Sequence, residues 1–241
     1  WGVRGDLARR AAQRSGADMA GEDRRTGGIK RAEELGIEEE LRSRVKEAEK
    51  VLVGLGAEWS GDAGKDMGAA YGALARLLEG KDYFIVTVKV DRDDYQSSLD
   101  VKRITAPCGN VHWFQCRAAC TTDIWEEGEV PDGICPHCGE PLIPNTVEAE
   151  HYIEEGYLIS WREYTQWLGR TLNRRLEVLE LGAGMEMREL QVIRWPLEKT
   201  VFFNNKAHMY RINGEFPQIS DEIGDKARAV RENSVEFVEK L

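Results

Sequence analysis

Four of the five cysteines form two close pairs, Cys116-x3-Cys120 and Cys135-x2-Cys138, with 14 residues between the pairs. Two short turns of this kind bring four thiolates to one tetrahedral ion, the donor set and spacing of a structural zinc ribbon. Four protein ligands leave no position for an activated water, so such an ion braces the chain rather than reacts. His137 is an alternative fourth donor, and a ribbon that has lost its metal is the other reading of the same thiols. Two glycine turns offer a second kind of chemistry. Gly54-Leu55-Gly56-Ala57 follows an apolar run and precedes a helical pattern, and Gly182-Ala183-Gly184 follows a second strand-like stretch, Leu176 to Leu181. Backbone N–H groups at such turns can seat a pyrophosphate. Ile212-Asn213 closes a further strand-like stretch, and the ends of parallel strands are where open α/β sheets take their ligands.

The elements that position these turns follow from periodicity. Ile37, Leu41, Val45 and Ala48 recur at helical spacing, as do Met67, Tyr71, Leu74 and Leu78. Val51 to Leu55, Tyr83 to Val90, Leu176 to Leu181 and His208 to Ile212 read as buried strands. Ser160 and Glu163 form a capping-box signature that predicts a helix over 161–173, and Ile223, Ala227, Val230, Phe237 and Leu241 mark a last helix. Helix alternating with strand predicts an α/β fold, a Rossmann-like parallel sheet flanked by helices. We expect that domain to comprise 37–107 and 146–241, with a small zinc-ribbon module inserted at 108–145. Residues 1–36 hold eight basic and six acidic residues in a thin apolar pattern, which predicts a flexible or loosely docked arm. The arginines at 9, 10, 14, 24 and 25 leave a basic interaction segment as the alternative.

The chain of 241 residues carries 33 Lys plus Arg against 43 Asp plus Glu, a net charge of −10. That balance argues against nucleic acid or anionic membrane as a partner. No apolar run reaches the length of a membrane-spanning helix, and a cytoplasmic location is expected. A protein substrate or protein partner remains the expected macromolecular counterpart.

Taken in order, the motifs resemble the sirtuin family over about residues 37–240. Gly56-Ala57-Glu58-Trp59-Ser60 corresponds to the sirtuin Gly-Ala-Gly-x-Ser turn, and Thr87-Val88-Lys89-Val90-Asp91 to Thr-x-Asn-x-Asp. Cys108-Gly109 corresponds to the His-Gly pair, and the cysteine quartet, Gly182-Ala183-Gly184 and Ile212-Asn213 follow in family order. Phe114-Gln115-Cys116, Leu179 to Gly182 and Ile193 to Lys199 are similar to divergent bacterial sirtuins related to the macrodomain-linked branch. The resemblance implies binding of NAD or ADP-ribose through Gly56, Ala57, Ser60, Thr87, Gly182, Gly184 and Asn213. It also implies NAD-dependent protein deacylation or ADP-ribosyl transfer, with Cys108, Lys89 and Asp91 in the catalytic positions. The departures fall on the reactive residues. Lys89 replaces the sirtuin Asn and Cys108 the general-base His, Glu58 replaces a Gly, and the Gly-Ile-Pro-Asp-Phe-Arg cofactor loop has no counterpart. Cys108 is either a thiol activated by a cation such as Lys89 or a buried apolar residue. If Lys89 pairs with Glu58 or Asp91, the cleft is filled with protein charge. The competing reading is therefore a catalytically silent sirtuin-fold interaction module with a plugged cofactor cleft.

Overall fold

The computed structural model describes residues 36–60, 67–91 and 99–241. All of the expected arm except Gly36 lies outside the described residues.

Helix α1 (Ile37–Glu47) leads into β1 (Lys50–Leu55), and a 3-10 turn (Ala57–Ser60) follows. Next come α2 (Gly68–Leu77), β2 (Tyr83–Thr87) and a short β3 (Ile104–Thr105). After the small module the main sheet resumes with α3 (Glu155–Gly169) and β7 (Leu176–Leu181). A short α4 (Met187–Glu189) runs through a π turn (Leu190–Arg194) into α5 (Trp195–Phe203). The chain ends with β8 (Ala207–Ile212), a 3-10 segment (Asp221–Lys226), β9 (Ala227–Val230) and α6 (Ser234–Glu239).

These strands form one parallel sheet in the order β3-β2-β1-β7-β8-β9. The order reverses between β1 and β7. This is the doubly wound, Rossmann-type arrangement, whose crevice opens at that reversal. Both central strands are buried on both faces, which is why β1 reads as an apolar run without alternation. Val51, Val53 and Leu55 pack with Leu41, Tyr71, Leu74 and Phe237 on one side of the sheet. Leu52 and Val178 pack with Tyr164, Trp167, Ile193 and Leu197 on the other.

A separate antiparallel sheet, β5-β4-β6, is built from β4 (Gly109–Cys116), β5 (Trp125–Glu126) and β6 (Leu142–Thr146). It lies in sequence between β3 and α3.

Three elements differ from the sequence expectation. Strand β2 ends at Thr87, so Lys89 and Val90 lie beyond it. Helix α3 starts at Glu155, and Ser160 sits inside it, its hydroxyl donating to the Tyr157 carbonyl at 2.9 Å. The aromatic stripe extends upstream, with Tyr157 against Trp161 and Trp161 against Tyr164, so packing outweighs the capping signature. The last expected helix is divided. Residues 227–230 pair with β8 as the edge strand β9, and the Asn233 side chain accepts from the N–H groups of Val235 and Glu236 to start α6.

Beneath the crevice lies a buried charge network. The Glu180 carboxylate, fully buried in β7, takes a bidentate pair from Arg211 at 2.7 Å and 2.7 Å. Arg211 also reaches Glu198 at 2.7 Å, and Arg194 approaches Glu180 at 3.6 Å. Burial pushes the Glu180 carboxyl above its ordinary range against the pull of Arg211 and Arg194. Replacing Arg211 with Ala leaves that carboxylate buried without its main partner. We expect a loss of about 3–5 kcal/mol, read as a lower urea midpoint. The double variant Glu180→Leu with Arg211→Met should recover part of it, and a single variant as stable as wild type would contradict this account.

Candidate functional site

The cysteine quartet is assembled at the end of the small sheet. Cys116 closes β4, and Cys120, Cys135 and Cys138 lie on the turns that face it. All four sulfur atoms lie within 4.8 Å of one another. Cys116 and Cys138 Sγ are 3.5 Å apart, and Cys120 and Cys135 Sγ 3.6 Å. A tetrahedral zinc with bonds of about 2.3 Å has sulfurs about 3.8 Å apart, so the quartet fits that ion. The backbone N–H of Cys120, pointing at the Cys116 sulfur, is the largest cause that holds this thiol down to about 6. His137 is directed elsewhere, with Nε2 2.8 Å from the Asp123 carboxylate. Four thiolates are thus the donor set, and a zinc here would be structural.

The glycine turns meet at the reversal of strand order. The Gly56 N–H donates to the Leu181 carbonyl at 2.9 Å, and the Gly182 N–H to the Ile212 carbonyl at 2.9 Å. A Cβ on Gly56 would lie 2.3 Å from the Ala183 Cα, which explains why only glycine allows the two loops to touch. Gly182 has φ +67°, and a Cβ there would meet the Glu58 Cβ at 2.4 Å. Asn213 locks the third loop. Its Nδ2 donates to the Ala183 carbonyl at 2.8 Å, while its Oδ1 accepts from the N–H groups of Glu215 and Phe216 at 2.9 Å and 2.7 Å.

Two carboxylates occupy the N–H groups of these loops. Glu189 Oε1 accepts from the Ala57 N–H and from the Gly184 N–H, both at 2.8 Å, and so bridges the loops after β1 and β7. The residue is buried. Glu58 Oε1 accepts from the Gly214 N–H at 2.9 Å, and its Oε2 from the Ser234 N–H at 2.7 Å, at the start of α6. Each carboxylate receives two charge-assisted hydrogen bonds from backbone groups of the kind that bind phosphate.

The other residues singled out by the sequence have these surroundings. Thr87 is buried, its hydroxyl donating to the Leu55 carbonyl at 3.0 Å and accepting from the Lys89 N–H at 3.1 Å. Lys89 is buried too, and its Nζ donates to the Trp59 carbonyl at 2.8 Å. Ser60 is exposed at the end of the 3-10 turn. Asp91 Oδ1 lies 3.5 Å from His112 Nε2, and His112 Nδ1 lies 2.8 Å from Glu127. Cys108 packs in the apolar layer with Val86, Ala183 and Ile193. Burial pushes its thiol above the ordinary range; Arg188 is the cation that opposes this, while Glu148 and Glu189 add to it.

Sequence reasoning missed Glu189 and Arg194. Arg194 Nη1 donates to the Ala183 carbonyl at 3.0 Å and Nη2 to the Phe216 carbonyl at 3.1 Å, which ties the β7 loop to the loop after β8. A buried arginine in the Ile193 to Lys199 run was the available signal.

No protein-family model and no curated protein matches this sequence. Solved structures do match. A Sir2 enzyme structure determined to explain mechanism and regulation superposes with TM-score 0.57 at 15% identity, covering 84% of this chain and 95% of that one. A Sir2 homologue variant in complex with ADP-ribose gives 0.54 at 14% identity, covering 84% and 94%. A Sir2 homologue in complex with NAD gives 0.54 at 15% identity, covering 85% and 92%. The chain has the Sir2 fold.

Two outcomes follow from this geometry. Purified protein should carry one zinc per chain. Its chelation should remove hydrogen-exchange protection from β4 and β6 while β1, β7 and β8 stay protected; less than about half an equivalent of zinc would contradict the assignment. Cys108, with its pKa raised, should be mostly protonated at pH 7. Alkylation of zinc-loaded protein should therefore label it more slowly than a free cysteine, and faster as pH rises; rapid labelling at pH 7 would refute the buried-thiol account.

Proposed function

We propose that this chain is a Sir2-fold binding module that does not consume NAD, because its dinucleotide seat is filled by its own carboxylates. The observation that carries this reading is Glu189 Oε1 on both the Ala57 and the Gly184 N–H groups. A pyrophosphate needs these donors free and an electropositive loop end. Here both are committed to an anion already, and a second anion beside Glu189 and Glu58 would meet like charge at short range. NAD and ADP-ribose therefore do not fit the seat as it stands. The thiol at Cys108 points the same way, since a protonated, buried sulfur is a poor general base. No helix among the described residues is long and apolar enough to cross a membrane, and a protein partner is the counterpart we assign to the module.

A second reading has its own support in the fold, shared with Sir2 homologues bound to NAD and ADP-ribose. In it the chain is a deacylase or ADP-ribosyltransferase. Gly56, Ala57, Ser60, Thr87, Gly182, Gly184 and Asn213 then line the cofactor, with Cys108, Lys89 and Asp91 at the reacting end.

Calorimetry with NAD and ADP-ribose separates the two. We expect no saturable heat from wild type up to millimolar ligand, no release of nicotinamide, and measurable ADP-ribose binding once Glu189→Ala and Glu58→Ala are combined. Saturable binding by wild type, with nicotinamide release lost in Cys108→Ala, would replace the module by the enzyme.

A further inference from the structure

The opposite edge of the sheet carries a second concavity, of about 640 Å³, within the range that holds small organic ligands. It is built where three parallel strands begin. Lys50 opens β1, Asp82 precedes β2 and Arg103 precedes β3, while Trp167 of α3 and Arg170, just past its end, close one wall. Its lining contains four cations, Lys50, Lys102, Arg103 and Arg170, against two carboxylates, Asp82 and Glu163. A local surplus of two positive charges does not follow from composition, because the chain as a whole stands at −10.

The fold accounts for only part of that surplus. Asp82 is the hub of a structural cluster. Its carboxylate takes Lys50, Arg103 Nη1 at 2.9 Å and Trp167 Nε1 at 2.7 Å. These bonds join the starts of β1, β2 and β3 to α3. They also hold Lys50 over the Trp167 ring at 5.1 Å and Arg103 over the Tyr83 ring at 5.9 Å. The cluster lowers the Asp82 carboxyl below its ordinary value, burial being outweighed by Lys50, Trp167 and Arg103 together. Lys50 and Arg103 thus belong to the architecture and are fixed in place. Lys102 and Arg170 are exposed and add charge that this cluster does not use. Two pinned cations and two exposed ones around one concavity make a seat for a ligand with more than one negative group.

We infer that this groove binds a small organic polyanion, carrying two or more carboxylate or phosphate groups. It does not rest on the reading of the cleft, which lies at the other end of the strands. A dianion spans the seat by meeting Lys102 and Arg170 at one group and, at the other, Arg103, of which Nη1 alone is taken by Asp82 and the Tyr83 carbonyl. Affinity then falls with salt, as for any contact made by partly exposed charges.

The indole N–H of Trp167 reports on this groove alone, because it donates to Asp82 inside the cluster. The experiment is a titration of the full, isotopically labelled chain with pyrophosphate and, separately, citrate, at constant ionic strength. The indole resonance is assigned by its absence in Trp167→Phe. We expect a saturable shift of this signal with at least one of the two probes, and the probe that binds tells phosphate from carboxylate. In the double variant Lys102→Glu with Arg170→Glu, binding should weaken by at least tenfold while the melting temperature stays close to that of wild type. No shift with either probe up to about 10 mM, the weak end of small-ligand binding, would overturn the inference. So would equal affinity in the double variant, which would leave the cluster a structural device only. The Glu189→Ala variant should give the same shift as wild type, so failure here leaves the cleft reading intact and failure there leaves this one intact.

Discussion

A fully buried carboxylate in a parallel strand must be neutralised, and the way Glu180 is neutralised sets the geometry of the crevice above it. Two guanidinium groups converge on it, one from β8 and one from the π turn before α5. Arg211 supplies the close bidentate pair and stays in the strand layer. Arg194 stands further off, and its remaining donors reach up to the carbonyls of Ala183 and Phe216. A desolvated charge tolerates little drift in its partners. The loops after β7 and β8 therefore inherit fixed positions from a charge balance several residues below them. The π turn lies where an ordinary helix would have placed Arg194 differently, in keeping with the tendency of such turns to occur at functional sites.

The same segment brings Glu189 to the loops. It precedes Arg194 by five residues, so anchoring Arg194 on Glu180 and Ala183 leaves the short helix α4 to present Glu189 at the reversal point of the sheet. Once there, its carboxylate gains two N–H donors, each such charge-assisted bond contributing about 1.5–3 kcal/mol. Moving it aside would leave a buried carboxylate short of donors and two loop N–H groups without an acceptor. An incoming phosphate restores the second but not the first. This asymmetry makes the resident carboxylate a stronger obstacle than simple steric filling.

Much of this was legible in the sequence, and the exceptions have a common cause. The cysteine spacing led to the quartet because two tight turns on one small sheet can converge in few ways. The glycine turns were legible because close backbone approach demands residues without Cβ, as Gly56 against Ala183 shows. A parallel sheet could be read from the alternation of helix with strand, though its order could not. The partners of Glu189 could not, since its Ala57 contact spans 132 positions and nothing in a Met-Arg-Glu-Leu stretch marks it as an anion for distant amides. For Lys89, nothing in the sequence marks the Trp59 carbonyl, a neutral acceptor that the 3-10 turn places at 2.8 Å. The misplaced start of α3 and the divided last helix have the same origin. Local capping and periodicity lost to a longer aromatic stripe in one case and to edge pairing with β8 in the other.

The two edges of the sheet handle charge in opposite ways, and the difference follows from which atoms each exposes. At the C-terminal edge the loops turn N–H groups inward, and the protein supplies the anions itself through Glu58 and Glu189. At the N-terminal edge, where β2 and β3 begin, Asp82 is an acidic hub that satisfies two of the cations that the strand starts and α3 bring together. The remaining surplus stays open to solvent. A scaffold whose usual ligand edge is internally satisfied can still bind, provided that another concavity keeps unspent charge within reach of ordered aromatic walls. The cluster of Lys50, Asp82, Arg103 and Trp167 supplies that order here, and it is independent of the zinc ribbon and of the crevice.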